Sequence, residues 1–100
     1  MAARGRRQLE VAICDDQRED RKKITEAIAE YIKISSSEVH VREFESGEAL
    51  LADDPSKFAL FFLDVYMGGQ TGIEVAAELR KSGCKGEIVF CSTSRESAAD

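Results

Sequence analysis

Residues 58–63 read Phe-Ala-Leu-Phe-Phe-Leu (FALFFL). A run this short, apolar throughout and without alternation, reads as a strand covered on both faces, as in the middle of a parallel sheet. A carboxylate, Asp64, ends the strand, and the loop beyond it carries Gly68, Gly69 and Gly72.

Working outward, the same strand-then-helix rhythm repeats. Upstream, Leu9–Cys14 (LEVAIC) is a second short apolar run, and it too ends in carboxylates, Asp15 and Asp16. From Gln17 to about Ile34 the apolar residues Ile24, Ile28 and Tyr31 recur at helical spacing, with Ala27 and Ile32 widening the stripe. The run Ser35-Ser36-Ser37 breaks that helix. Glu38–Phe44 (EVHVREF) alternates polar and apolar, as a strand at a sheet edge does. Ser46 caps a short helix from Gly47 to about Ala52, closed by Asp53-Asp54-Pro55. Downstream of Asp64, Thr71 caps a helix from Ile73 to about Ser82, and Gly83 ends it. Glu87–Cys91 (EIVFC) is a fourth strand, followed by the hydroxyl-rich Ser92-Thr93-Ser94. The alternation implies an α/β fold, a doubly wound parallel sheet with helices on both faces.

The bulk numbers fit one small domain. The chain has 100 residues, 43% hydrophobic and 33% charged, which supports a single core and argues against disorder. Its net charge of −5 repels phosphate backbones, so this chain itself is not expected to bind nucleic acid. The basic Arg4, Arg6 and Arg7 fall in an N-terminal extension, residues 1–8, that precedes the domain at 9–100. Three cysteines, Cys14, Cys84 and Cys91, make neither an even set nor a CxxC pair. They suggest buried free thiols in a reducing cytoplasm rather than disulfides or a zinc site. No apolar run is long enough to span a membrane or to serve as a signal peptide.

In open parallel sheets, sites form beyond the carboxyl ends of the strands. Three strand ends here carry Asp15-Asp16, Asp64 and Ser92-Thr93. Each has a bland reading: Asp16 as a cap of the first helix, the Ser-Thr-Ser loop as a solvated turn. Their conjunction at the same ends of three strands points to chemistry. Three converging carboxylates repel one another, and a hard divalent cation resolves that cost. A carboxylate is also a competent nucleophile toward phosphorus, and a hydroxyl such as Ser92 can bond the arriving phosphoryl oxygens.

Together, VAICDD, FFLDVYM-x₄-GIEVAAELR and IVFCSTS resemble the first, third and fourth strand regions of response-regulator receiver domains, and FESGEALL resembles their second-helix region. The resemblance runs from about Leu9 to the last residue, and its texture is most similar to receivers joined to LytTR-type DNA-binding domains. It implies a flavodoxin-like receiver fold and these roles: Asp64 the phosphoacceptor; Asp16 a direct Mg²⁺ ligand; Asp15 a support through water; the Tyr66 backbone carbonyl the third protein ligand; Ser92 the switch hydroxyl, with Thr93 the alternative. The implied partners are a histidine kinase and an output domain that controls transcription.

Two departures stand out. Where the family commonly has Met-Pro after the phosphoacceptor, this chain has Met67-Gly68. Family receivers also continue through a fifth strand ending in a lysine and a fifth helix, so the domain is expected to be C-terminally incomplete at Asp100, with EIVFC an exposed edge prone to self-association. Two other classes compete with the phosphorylation switch. A phosphatase-like hydrolase would want a second Asp two residues after the nucleophile, where Tyr66 stands. A vestigial scaffold would not need all three carboxylates.

Overall fold

The computed structural model describes residues 8–35 and 38–91. The elements are β1 (Gln8–Cys14), α1 (Arg18–Ser35), β2 (Glu38–Phe44), α2 (Gly47–Ala52), a 3₁₀ turn (Pro55–Lys57), β3 (Leu60–Asp64), α3 (Gly72–Lys81) and β4 (Glu87–Cys91). The four strands form one sheet in the order β2-β1-β3-β4. Every pairing is parallel. The sequence reading of an α/β, doubly wound parallel sheet is borne out.

The order contains a reversal. From β1 the chain crosses outward to β2, then returns over β1 to β3. Right-handed crossovers therefore put α1 on one face and α2 and α3 on the other, and the reversal opens a crevice between β1 and β3 at their carboxyl ends. That crevice is where Asp15, Asp16 and Asp64 emerge.

The face under α2 and α3 is closed. Ala12, Cys14, Phe61 and Leu63 of the sheet pack with Leu50, Val75 and Leu79, and all seven are fully buried. Phe58 sits edge-on to Phe44 at 6.0 Å and to Phe61 at 5.8 Å between ring centres. The helix ends are built from local signals. Ser46 accepts from the Ala49 amide at 3.0 Å. Thr71 and Glu74 make a reciprocal capping box. Past α3, Gly83 takes φ +92°, a left-handed conformation that stops the helix.

Among the described residues, the opposite face is covered by α1 alone. α1 covers Val11 and Ile13 but buries none of its own residues fully. Between α1 and the sheet lies an apolar groove of about 530 Å³, lined in part by Ile24, Ile28, Tyr31, Leu60 and Phe62. At the far edge, Val89 and Phe90 of β4 are 40% and 46% exposed.

Two expectations drawn from FALFFL need correction. The strand begins at Leu60, not Phe58, because Pro55 starts a 3₁₀ turn whose last bond is Phe58 N–H to Pro55 O at 3.2 Å. Phe58 is apolar because its ring is buried from a turn, not because it belongs to the ladder. Among the described residues, the strand's second face is only partly covered. Phe61 and Leu63 point into the closed core, whereas Leu60 and Phe62 are only half-buried against the groove. The edge position expected for β2 is borne out.

Candidate functional site

Pairing in register sets the site. Cys14 of β1 lies beside Leu63 of β3, so the residues that follow, Asp15-Asp16 and Asp64, leave the sheet side by side. Each of the three carboxylates offers an oxygen within 4.8 Å of the other two. The convergence expected from the strand ends is therefore present for the carboxylates. Ser92 and Thr93, the hydroxyl part of that expectation, lie outside the described residues.

The three carboxylates are held differently. Asp15 is 1% exposed; its N–H donates to Phe44 O at 3.1 Å and its Oδ1 accepts from the Gln17 amide at 2.8 Å. Its Oδ2 is buried and meets no hydrogen-bond donor among the described residues. Asp64 is equally buried, and its Oδ1 accepts from the Tyr66 amide at 3.1 Å. Asp16 is partly exposed. Its Oδ2 accepts from the Gly68 amide at 3.0 Å, tying the β1–α1 loop to the β3–α3 loop. A proline at position 68 could not make that bond, so the departure from Met-Pro has a structural consequence.

The β3–α3 loop is anchored at both ends. Val65 N–H donates to Cys91 O, and Gly72 N–H donates back to Val65 O, both at 3.1 Å. Gly72 is obligatory, because a Cβ there would collide with the Asp64 carbonyl. Met67 is buried, with its Sδ 3.6 Å from Cys14 Sγ, while the Tyr66 side chain is 45% exposed.

Packing carboxylates into a buried crevice shifts nearby titrations. Burial pushes the Asp15 carboxyl up from 3.8 to about 6, offset by the Gln17 amide and reinforced by the charge of Asp64. The Cys14 thiol is pushed up to about 12, first by burial and then by Asp15, Asp64 and Asp16. Cys91 is raised in the same way. Both thiols stay protonated, which leaves an all-oxygen donor set. Clustered carboxylates and a buried carboxylate oxygen lacking a donor fit a small, hard divalent cation such as Mg²⁺.

Comparison with known proteins decides the family. The model of the response regulator receiver domain matches residues 11–100. The chain belongs to the response regulator receiver family. Among solved structures, the response regulator protein TrrA from Thermotoga maritima, in complex with Mg²⁺-BeF, is 26% identical, with a TM-score of 0.72 over 92% of this chain and 76% of that one. The chemotaxis protein CheY4 of Vibrio cholerae is 22% identical, with a TM-score of 0.66 over 92% of this chain and 76% of that one. The BeF3-activated DrrB receiver domain is 21% identical, with a TM-score of 0.70 over 92% and 74%. No curated protein sequence matches the chain. The protein is thus a receiver domain, typically a phosphorylation switch, with an acidic cluster at the carboxyl edge of its parallel sheet. Among the described residues, no helix is long and apolar enough to cross a membrane.

Sequence reasoning missed how the site is braced. Arg21, in the second turn of α1, donates from Nη1 to Asp15 O at 2.8 Å and from Nε to Glu43 Oε1 at 2.9 Å. Nothing in the local pattern sets Arg21 apart from its charged neighbours Arg18, Lys22 and Lys23.

Proposed function

We propose that this receiver is phosphorylated on Asp64 by a histidine kinase, with Mg²⁺, and controls an output domain. The observation that supports this best is the convergence of Asp15, Asp16 and Asp64 at the sheet reversal. TrrA, which has Mg²⁺-BeF bound, has the same fold at 26% identity.

Asp16, Asp64 and the Tyr66 backbone carbonyl would hold the ion directly, and Asp15 would hold it through water. Bound there, Mg²⁺ offsets negative charge on the transferred phosphoryl group. The rest falls to the chain. An Asp64 carboxylate oxygen forms the new O–P bond as the N–P bond to the donor histidine breaks, and the electron pair leaves with the imidazole. The Tyr66 amide on Oδ1 fixes the carboxylate's rotation, and burial keeps stray water away. Ser92, or Thr93 one residue on, would accept the switch role by donating to a phosphoryl oxygen.

The cycle makes the protein a switch that carries out its own phosphotransfer and slow dephosphorylation. The output is proposed to be transcription through a LytTR-type DNA-binding domain, on the texture DVYM…GIEVAAELR and IVFCSTSRESA. Three free cysteines support a cytoplasmic setting. The division into a basic extension at 1–8 and a receiver at 9–100 stands as a proposal, with Gln8 already the first residue of β1. Reaction with a small phosphodonor and Mg²⁺, followed by mapping of the adduct, tests the reading; it should carry one phosphoryl group, on Asp64.

A further inference from the structure

We infer that Arg21 is a positioning residue for the cation site: its guanidinium, braced on Glu43, fixes the peptide that joins Asp15 to Asp16 and so sets where both carboxylates point. The inference rests on the metal-site reading of the acidic cluster.

Arg21 Nη1 donates to the carbonyl of Asp15 at 2.8 Å, and that carbonyl belongs to the peptide bond leading into Asp16. A peptide is planar, so pinning its oxygen fixes the direction in which the next Cα leaves. The other side of Asp15 is pinned as well, by its N–H on Phe44 O at 3.1 Å. Arg21 is held in turn by Glu43 at 2.9 Å, one residue before Phe44. The guanidinium therefore spans the ends of β1 and β2 with a rigid, planar fork, which an ammonium lacks. Its side chain is 14% exposed, whereas Glu43's is 43% exposed, so the cation is shielded and its brace faces water. From α1 itself, Thr25 Oγ1 donates to the Arg21 carbonyl at 2.9 Å, adding a tie in the next turn.

Charge alone would act in the opposite sense. A cation beside three carboxylates repels Mg²⁺, so removing it would tighten metal binding if electrostatics were its whole contribution. Positioning predicts weaker binding instead, and the two signs separate the explanations.

The test is the Mg²⁺ affinity of the full chain, read from the backbone amide shifts of Tyr66 and Gly68 at a temperature where circular dichroism shows each variant folded. Arg21→Lys keeps the charge and loses the fork; Arg21→Gln loses both. Both should bind Mg²⁺ about fivefold or more weakly than the unsubstituted protein. Glu43→Gln, which keeps an acceptor for Nε, should stay within about twofold. Unchanged or tighter binding in Arg21→Lys or Arg21→Gln would overturn the inference, because a role in folding alone moves stability and not the affinity of the folded protein. Asp16→Asn is the control: it should abolish the shifts. An unsubstituted protein without any Mg²⁺ response would overturn the metal-site reading and this inference with it.

Discussion

Replacing Asp15 with Asn should stabilise the metal-free protein at neutral pH and remove a pH dependence that the native chain has. Asp15 is 1% exposed, with Oδ2 facing no donor, and its carboxyl is raised from 3.8 to about 6, mostly by burial. At about 1.4 kcal/mol per pH unit, keeping it ionised in the folded chain costs about 3 kcal/mol at most. The sign follows from proton counting. Between pH 4 and 6 the folded state holds the proton more tightly than the unfolded one, so this group's contribution is fully favourable below about pH 4. It declines as pH rises toward 6 and stays lost above that. Asn is close in shape. Its Oδ1 can still accept from Gln17, and its amide can donate toward Asp64, which a carboxylate cannot do. Urea unfolding with EDTA present, at steps from pH 4 to 8, measures the difference between the two proteins, so that other groups cancel. The gap in favour of Asp15→Asn should open with rising pH and level off near neutrality at about 1–3 kcal/mol. A gap that does not change with pH, or a variant less stable at pH 7.5 than at pH 4 relative to the native chain, would refute the reasoning.

Gly72→Ala should cost about 2 kcal/mol or more and displace the Asp64 backbone, because the added Cβ collides with the Asp64 carbonyl. Urea unfolding and the Asp64 amide shift check this; a fully stable variant would contradict it. Thr71→Ala removes half of the capping box on α3 and should cost about 1 kcal/mol, measured the same way.

Much of this was legible in the sequence because the signals are local. Ser46 and Thr71 cap the helices assigned to them, since a side-chain oxygen two or three residues before free amides is all a cap needs. The placement of Asp15, Asp16 and Asp64 followed from strands ending in carboxylates and from the rule that a reversing parallel sheet opens at that edge. What periodicity could not supply was the source of burial. Phe58 is as apolar in sequence as Phe61, yet one sits on a turn and the other in the ladder. Leu60 and Phe62 look as buried as Leu63, yet they face the groove beside α1, because a run of letters does not count the helices above it. The division of labour among the carboxylates was equally hidden. Asp15 holds the entry of α1 and Asp16 holds Gly68, and both bonds depend on tertiary placement. Arg21 was invisible for the same reason.

The central claim is that Asp64 accepts a phosphoryl group with help from a cation held by its neighbours, and one mass measurement tests it most directly. The protein is incubated with a small phosphodonor, with Mg²⁺ or with EDTA, and the modified residue is mapped by fragmentation. One phosphoryl group on Asp64, labile to base, formed only with Mg²⁺ and absent from Asp64→Asn, is the expected result. A phosphoryl group that persists in Asp64→Asn, or one that maps to Ser92 or Thr93, would contradict it.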